Sequence, residues 1–267
     1  MTLFEDTATP AAPSGPLVRV RMTVAYDGSG FHGFAANPGV RTVGGTLREA
    51  LERALRAPVE LSCAGRTDAG VHAWGQVVSF DAPADRFDPI ALQRSVNRQC
   101  GPAIVVRDLS TTAETFDARR SATHRVYRYT VLNRPVPDPF LAPVSWHVDD
   151  PLELDLLRLA SDPLVGEHDF SAFCRRPKHR DGREASLVRR VDRASWDDLG
   201  DGVLRFEIEA NAFCHQMIRS MVGTLVDVGL RRKHAGDLLG ILHGRDRSAA
   251  SPLAPPQGLC LWSVGYD

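Results

Sequence analysis

The chain has 267 residues, 43% hydrophobic and 24% charged, with a formal net charge of −1. That is the composition of a globular protein long enough for one large domain or two ordinary ones, and it excludes a disordered or fibrous chain. It also excludes a uniformly basic surface, so any nucleic-acid partner would have to meet positive charge gathered locally.

The first sixteen residues, "MTLFEDTATPAAPSGP", are acidic and rich in Pro and Ala, without the basic and apolar segments of a signal peptide, and they read as a disordered tail. In "LVRVRMTVAY", Val18, Val20, Met22 and Val24 alternate with polar residues, the period of a half-buried strand. After a Gly-containing loop, Leu47, Ala50, Leu51, Ala54 and Leu55 form one stripe of a helix expected from Thr46 to Arg56. Short strands are expected over Val59 to Cys63 and Gln76 to Phe80, then a helix around Pro89 to Arg98 and a strand from Ile104 to Leu109.

The second half runs similarly. "HRVYRYTVLN" alternates as a strand, Leu152 to Ala160 reads as a helix, and "LVRRVDRASW" and "GVLRFEIEA" read as a strand pair around "DDLGDG". In "AFCHQMIRSMVGTLVDVGL", Phe213, Met217, Met221, Leu225 and Val228 recur at helical spacing; a short helix, Gly236 to Leu242, and a strand, Leu259 to Val264, follow. Each half is then strand, helix, strand, strand, helix, strand. The order implies an α+β fold of two ferredoxin-like or RNA-recognition-like halves, residues 17–115 and 116–267, sharing a largely antiparallel sheet with a cleft between them.

Five cysteines, scattered and without a C-x-x-C pair, read as reduced thiols of a cytoplasmic protein. Cys174, His179, Cys214 and His215 lack paired ligand spacing for zinc, and Asp68 with His72 lacks further ligands, so no metal is expected. No apolar run approaches the roughly 18 residues of a membrane span. Neither Walker A nor G-x-S-x-G is present, and no nucleotide cofactor is expected.

Positive charge is segregated. Arg119, Arg120, Arg125, Arg128 and Arg134 cluster without an acid among them, and Arg125, Tyr127 and Tyr129 share one strand face. A second cluster holds Arg175, Arg176, Lys178, Arg180, Arg183, Arg189, Arg190 and Arg193. Such runs suit solvated loops; arginine with tyrosine on one face also suits RNA, whose unpaired bases stack on aromatic rings while guanidinium groups hold phosphates.

"CAGRTDAGVHAWGQVVSF" places Arg66 and Asp68 two positions apart among glycines and small residues, just before an apolar strand. Asp68 could cap a turn with Arg66 as a surface partner, a pair worth roughly 0 to 1 kcal/mol. Equally, an arginine-held carboxylate in a loop stripped of side chains is what nucleophilic or general-base carboxylate chemistry needs.

This segment resembles the catalytic motif of the tRNA pseudouridine synthase A family. "FDARRSATHRVYRY" is similar to that family's second motif and "ANAFCHQMIRSMVGTLVDVG" to its third, while "GEHDFSAF" and "QGLCLWSVGY" also fit. The resemblance implies an isomerase that converts uridine to pseudouridine in the anticodon arm of tRNA, at positions 38–40, without cofactor or metal. It implies a cytoplasmic homodimer with tRNA bound across both copies. It carries the nucleophile onto Asp68 and its partner onto Arg219. Arg66 would shape the loop and hold or displace the extruded nucleotide, while Tyr127 would stack on the base and take the proton from carbon 5. Arg125, Arg128, Arg175, Arg176, Lys178 and Arg189 would line the RNA cleft. Two departures lie outside the catalytic motifs: Phe34 and Ala35 stand where the family has tryptophan and glutamine, and "NRQCGP" replaces N-x-x-L-P. A paralogue acting on another uridine, or a non-catalytic RNA binder on the same scaffold, would share the fold.

Overall fold

A computed structural model describes residues 15–176 and 186–267. The expected tail lies almost wholly outside the described residues, and Lys178, Arg180 and Arg183 lie outside them too.

Strand β1, Leu17–Tyr26, follows its alternation: Val20, Met22 and Val24 are fully buried, each such side chain contributing about 1.5–3 kcal/mol. Helix α1, Val43–Leu55, starts three residues before the expected Thr46, because the Thr42 hydroxyl accepts the Gly45 N–H (3.2 Å) and caps it there. Strand β2 is only Ser62–Cys63, shorter than expected, since Pro58 has no N–H and the Val59 N–H is taken by the Glu52 carboxylate at 3.2 Å. Strand β3, His72–Pro83, is longer than expected at both ends. Helix α2, Pro89–Cys100, is capped by Asp88, whose carboxylate accepts the Ile90 and Ala91 N–H groups, with Pro89 in the first turn. Strand β4 is Ile104–Thr111.

The second half contributes β5 (Ala122–Asn133), β6 (Trp146–Val148), α3 (Leu154–Ser161), β7 (Gly166–Asp169), β8 (Val188–Asp198), β9 (Val203–Ala210), α4 (Met217–Gly229), α5 (Asp237–Gly244) and β10 (Leu259–Tyr266). The three-residue β6 and four-residue β7 show too few alternating positions to be seen in the sequence. Helix α4 begins at Met217, not Phe213, because Gln216 takes a left-handed conformation (φ 66°) at its N-cap.

The strands form one sheet ordered β4-β1-β3-β10-β5-β9-β8-β7, with β2 beside β3 and β6 beside β5. Within each half the four principal strands therefore lie last, first, third, second: β4-β1-β3-β2 and β10-β5-β9-β8. That is the ferredoxin-like order, twice. The halves join through β10, parallel to β3 (Cys260 with His72, Leu261 with Ala73) and antiparallel to β5 (Leu261 with Tyr127). On the outer side of this seam Trp74 stacks on Trp262 (5.8 Å, 16°) between the guanidinium groups of Arg107 and Arg128. Helix α1 packs against α2 and α3 against α4. One buried core runs through both halves. No helix among the described residues is long and apolar enough to cross a membrane.

Candidate active site

The loop between β2 and β3, residues 64–71, lies near the seam and is pinned from several sides. The fully buried Gln76 donates to the Gly65 carbonyl (2.7 Å) while its own oxygen accepts the Gly65 N–H (3.4 Å). The Tyr26 and Thr67 hydroxyls share a hydrogen bond of 2.7 Å, and the Phe34 N–H donates to the Thr67 carbonyl at 3.1 Å. Gly33 permits this approach: at φ 88° a Cβ there would sit 2.7 Å from the Thr67 oxygen.

The loop presents Asp68, 24% exposed, to α4 of the other half. Arg219, in the first turn of α4, places Nη1 3.5 Å from Asp68 Oδ2, while its Nε donates to the Ala254 carbonyl (2.8 Å). His215 approaches the other oxygen, with Nε2 3.2 Å from Oδ1. The carboxylate is therefore held at both oxygens by side chains from the second half.

Around it opens a cleft of ≈ 1260 Å³. Arg48, Arg66, Arg119, Arg125, Arg175, Arg189 and Arg219 line it, against the carboxylates Glu60 and Asp68. Phe34, Tyr127, Phe213 and Leu259 form its apolar wall, with Phe213 edge-on to Tyr127 at 5.1 Å. Arginine-rich walls with an aromatic side, and a carboxylate held by Arg219, suit a phosphodiester chain that delivers a single base to Asp68. Burial drives the Tyr127 phenol far above its usual value, so its hydroxyl keeps its proton at neutral pH. Cys63, also in the wall, has its thiol pushed up to about 11 by burial. No group of three or more His, Cys, Asp or Glu among the described residues could hold a metal ion. His72 turns away from Asp68, accepting the Gly28 N–H and donating to the Pro143 carbonyl.

The family described as tRNA pseudouridine synthase matches residues 160–267. The tRNA pseudouridine synthase A of Dechloromonas aromatica is 42% identical over 94% of this chain and 93% of its own. That of Methylobacterium sp. strain 4-46 is 40% identical, over 93% and 97% respectively. The chain belongs to the tRNA pseudouridine synthase A family. The Geobacillus sp. strain WCH70 member is 36% identical over 93% of this chain and 98% of its own. Solved structures are more distant: an archaeal box H/ACA sRNP Nop10–Cbf5 complex matches at 14% identity and a TM-score of 0.34, over 86% of this chain and 59% of that one, too faint a likeness to carry an argument.

The structure brings together Asp68, Arg66, Tyr127, Arg125, Arg175, Arg189 and Arg219 around one cleft, and it sorts them differently from the sequence. Arg66 is exposed at the rim and forms no ion pair with Asp68, so the short-range pair weighed in "GRTDAG" is not made; Arg219 and His215 occupy the carboxylate instead. Arg125 is buried and donates to the carbonyls of Ala64, Arg119, Ala122 and Asn211, which makes it a clamp on the walls and not a free cation. Arg128 does not line the cleft. Strand alternation turns it to the opposite face of β5, where it stacks on Trp262 (3.7 Å) and donates to Glu207 (2.6 Å). Arg176 is exposed beside Arg175.

The cysteine expectation is also corrected. Cys174 and Cys214 form a disulfide with Cα atoms 5.8 Å apart, leaving Cys63, Cys100 and Cys260 free; separation along the chain hid a proximity that the fold creates. Sequence reasoning missed His215, Arg48 and Phe213 as cleft residues. His215 stood in the third family motif but was weighed only as a metal ligand. Phe34 and Ala35, the first departure from the family pattern, line the cleft itself. In the second, Asn97 latches α2 to β4, donating to the Val106 carbonyl (3.0 Å) and accepting its N–H (2.6 Å), away from the cleft.

Proposed function

We propose that this protein isomerises uridine to pseudouridine in the anticodon arm of tRNA, at positions 38–40, with Asp68 as the nucleophile. The observation that carries the reading is the carboxylate of Asp68, approached at Oδ2 by Arg219 in an arginine-lined cleft.

In the reaction the N1–C1′ bond breaks, a C5–C1′ bond forms, the proton on carbon 5 leaves and N1 gains one. Asp68 attacks carbon 6 of the uracil or C1′ of the ribose, and both routes return the carboxylate unchanged. A stacked uridine is out of reach, so the target is flipped into the cleft at a cost of a few kcal/mol, offset by phosphate contacts to Arg48, Arg175 and Arg189. Arg66, at the rim, holds the extruded nucleotide. Tyr127 supplies the stacking surface. The same reading gives Tyr127 the carbon-5 proton, a step its phenol, raised by burial, can take only once its own proton has left. Homodimeric assembly, with tRNA spanning two copies, belongs to the same reading.

Tritium release from tRNA carrying carbon-5-labelled uridine tests it. The Asp68→Asn and Asp68→Ala proteins are expected to bind tRNA and release no tritium; turnover by either removes Asp68 from the reaction. Wild-type protein that binds tRNA without releasing tritium would be a binder on this scaffold. Pseudouridine mapping in tRNA from cells lacking the protein identifies the modified positions.

A further inference from the structure

His215 has no part in the reaction as described, yet its imidazole holds the carboxylate oxygen that Arg219 leaves free, 3.2 Å from Oδ1. We infer that His215 is a positioning residue for the nucleophile, the second of two side chains that fix the plane of the Asp68 carboxylate. The inference rests on the reading of Asp68 given above and deepens it.

An aspartate is soft about its last torsion, and one contact at 3.5 Å to one oxygen leaves the group free to turn. A second contact, on the other oxygen, restricts that freedom. The two holders differ in setting: Arg219 is 14% exposed and reaches the acid from the cleft wall, while His215 is 47% exposed and stands toward the mouth.

The backbone that carries His215 is built to keep it there. Its carbonyl accepts the Arg175 N–H at 2.9 Å, and the Met217 N–H closes a turn onto the Cys214 carbonyl at 3.1 Å. The left-handed Gln216 then turns the chain into α4, and Cys214 is tied to Cys174 on the neighbouring segment. An incidental surface pair, worth roughly 0 to 1 kcal/mol, has neither a fixed backbone nor a recessed acid. This pair has both.

Two amides separate positioning from packing. The glutamine amide nitrogen falls where His Nε2 does and can still reach Oδ1; the asparagine nitrogen falls nearer the position of Nδ1 and cannot. Full-length His215→Asn and His215→Gln proteins are compared with wild type and Asp68→Asn in single-turnover tritium release. His215→Asn is expected to slow the first-order step about 10²-fold, the loss a misplaced reacting group produces. Its half-saturating concentration should change by less than about threefold, since the contact serves the chemical step and not binding. His215→Gln should recover about tenfold of the loss, by restoring a polar contact to Oδ1. Equal rates in the two variants, or a loss confined to half-saturation, overturn the inference. If wild type turns over and Asp68→Asn does not, that failure belongs to His215 alone; a silent wild type would instead remove the functional reading.

Discussion

Arg219 meets Asp68 across the seam between the two halves of the sheet, with Nη1 3.5 Å from Oδ2 and Nε anchored on the Ala254 carbonyl at 2.8 Å. One planar guanidinium thus ties the acid to the segment just before β10. A lysine has a single ammonium and cannot serve both points in this geometry. Arg219→Lys is therefore expected to keep tRNA affinity and lose about 10²-fold in single-turnover tritium release. A rate within a factor of about three of wild type would show that the contact to Asp68 does not reach the chemical step.

Arg125 looked like a phosphate ligand and is a clamp. Its guanidinium joins carbonyls from the catalytic loop, the 119–122 segment and the end of β9, and burial lowers its pKa. Replacing it with methionine leaves these acceptors unpaired, at a cost of about 1–3 kcal/mol per stranded buried group. Urea unfolding should show Arg125→Met destabilised, while the salt dependence of tRNA binding stays as in wild type. A shallower salt slope with unchanged stability would return Arg125 to the phosphate contacts.

Alkaline pH should unfold this protein steeply. All four tyrosines, Tyr26, Tyr127, Tyr129 and Tyr266, are held above the ordinary value of 10.0 by burial. The unfolded chain releases their protons near pH 10 and the folded chain does not. Unfolding then releases protons, and stability that is full below pH 10 falls as pH rises through the folded-state values. Each tyrosine contributes a slope of about 1.4 kcal/mol per pH unit in that window. The buried thiols of Cys63 and Cys260, raised to about 11, start the decline nearer pH 9. Urea midpoints between pH 8 and 11 check this, and a flat profile contradicts it.

The Cys174–Cys214 bond closes a loop of sequence separation 40. Loop-closure entropy alone gives about 4 kcal/mol for such a loop. Thiol titration of the unreduced, denatured protein should count three thiols, and five after reduction. Reduction, or Cys174→Ser, should lower the unfolding free energy by about 2–4 kcal/mol. Five thiols without reductant would show that the bond is absent in solution.

Much of this was legible in the sequence. The alternation in β1 and β5 and the stripe in α1 are local patterns, and capping by Asp88 or Thr42 refines their ends by a few residues. Strand β2 was overestimated because apolar residues flanking a cleft look like strand residues until their N–H groups are traced, as with Val59 and Glu52. Asp68 stood out through its glycine setting and Arg219 through its motif. What the sequence hid was direction and distance. Arg128 neighbours Tyr127 in the chain and faces away from it, while His215 and Cys174 gain their partners only when separate segments meet.

The position of β10 has a kinetic side. The closing strand in chain order is inserted at the middle of the sheet, between β3 and β5, so the two halves can form their own hairpins before anything joins them. The join depends on contacts of long sequence separation, the slow kind. Asp68 lies on one side of that join and Arg219 and His215 on the other. Refolding should therefore restore most of the secondary structure well before it restores the pairing at Asp68, and reactivity arrives with the last strand to dock.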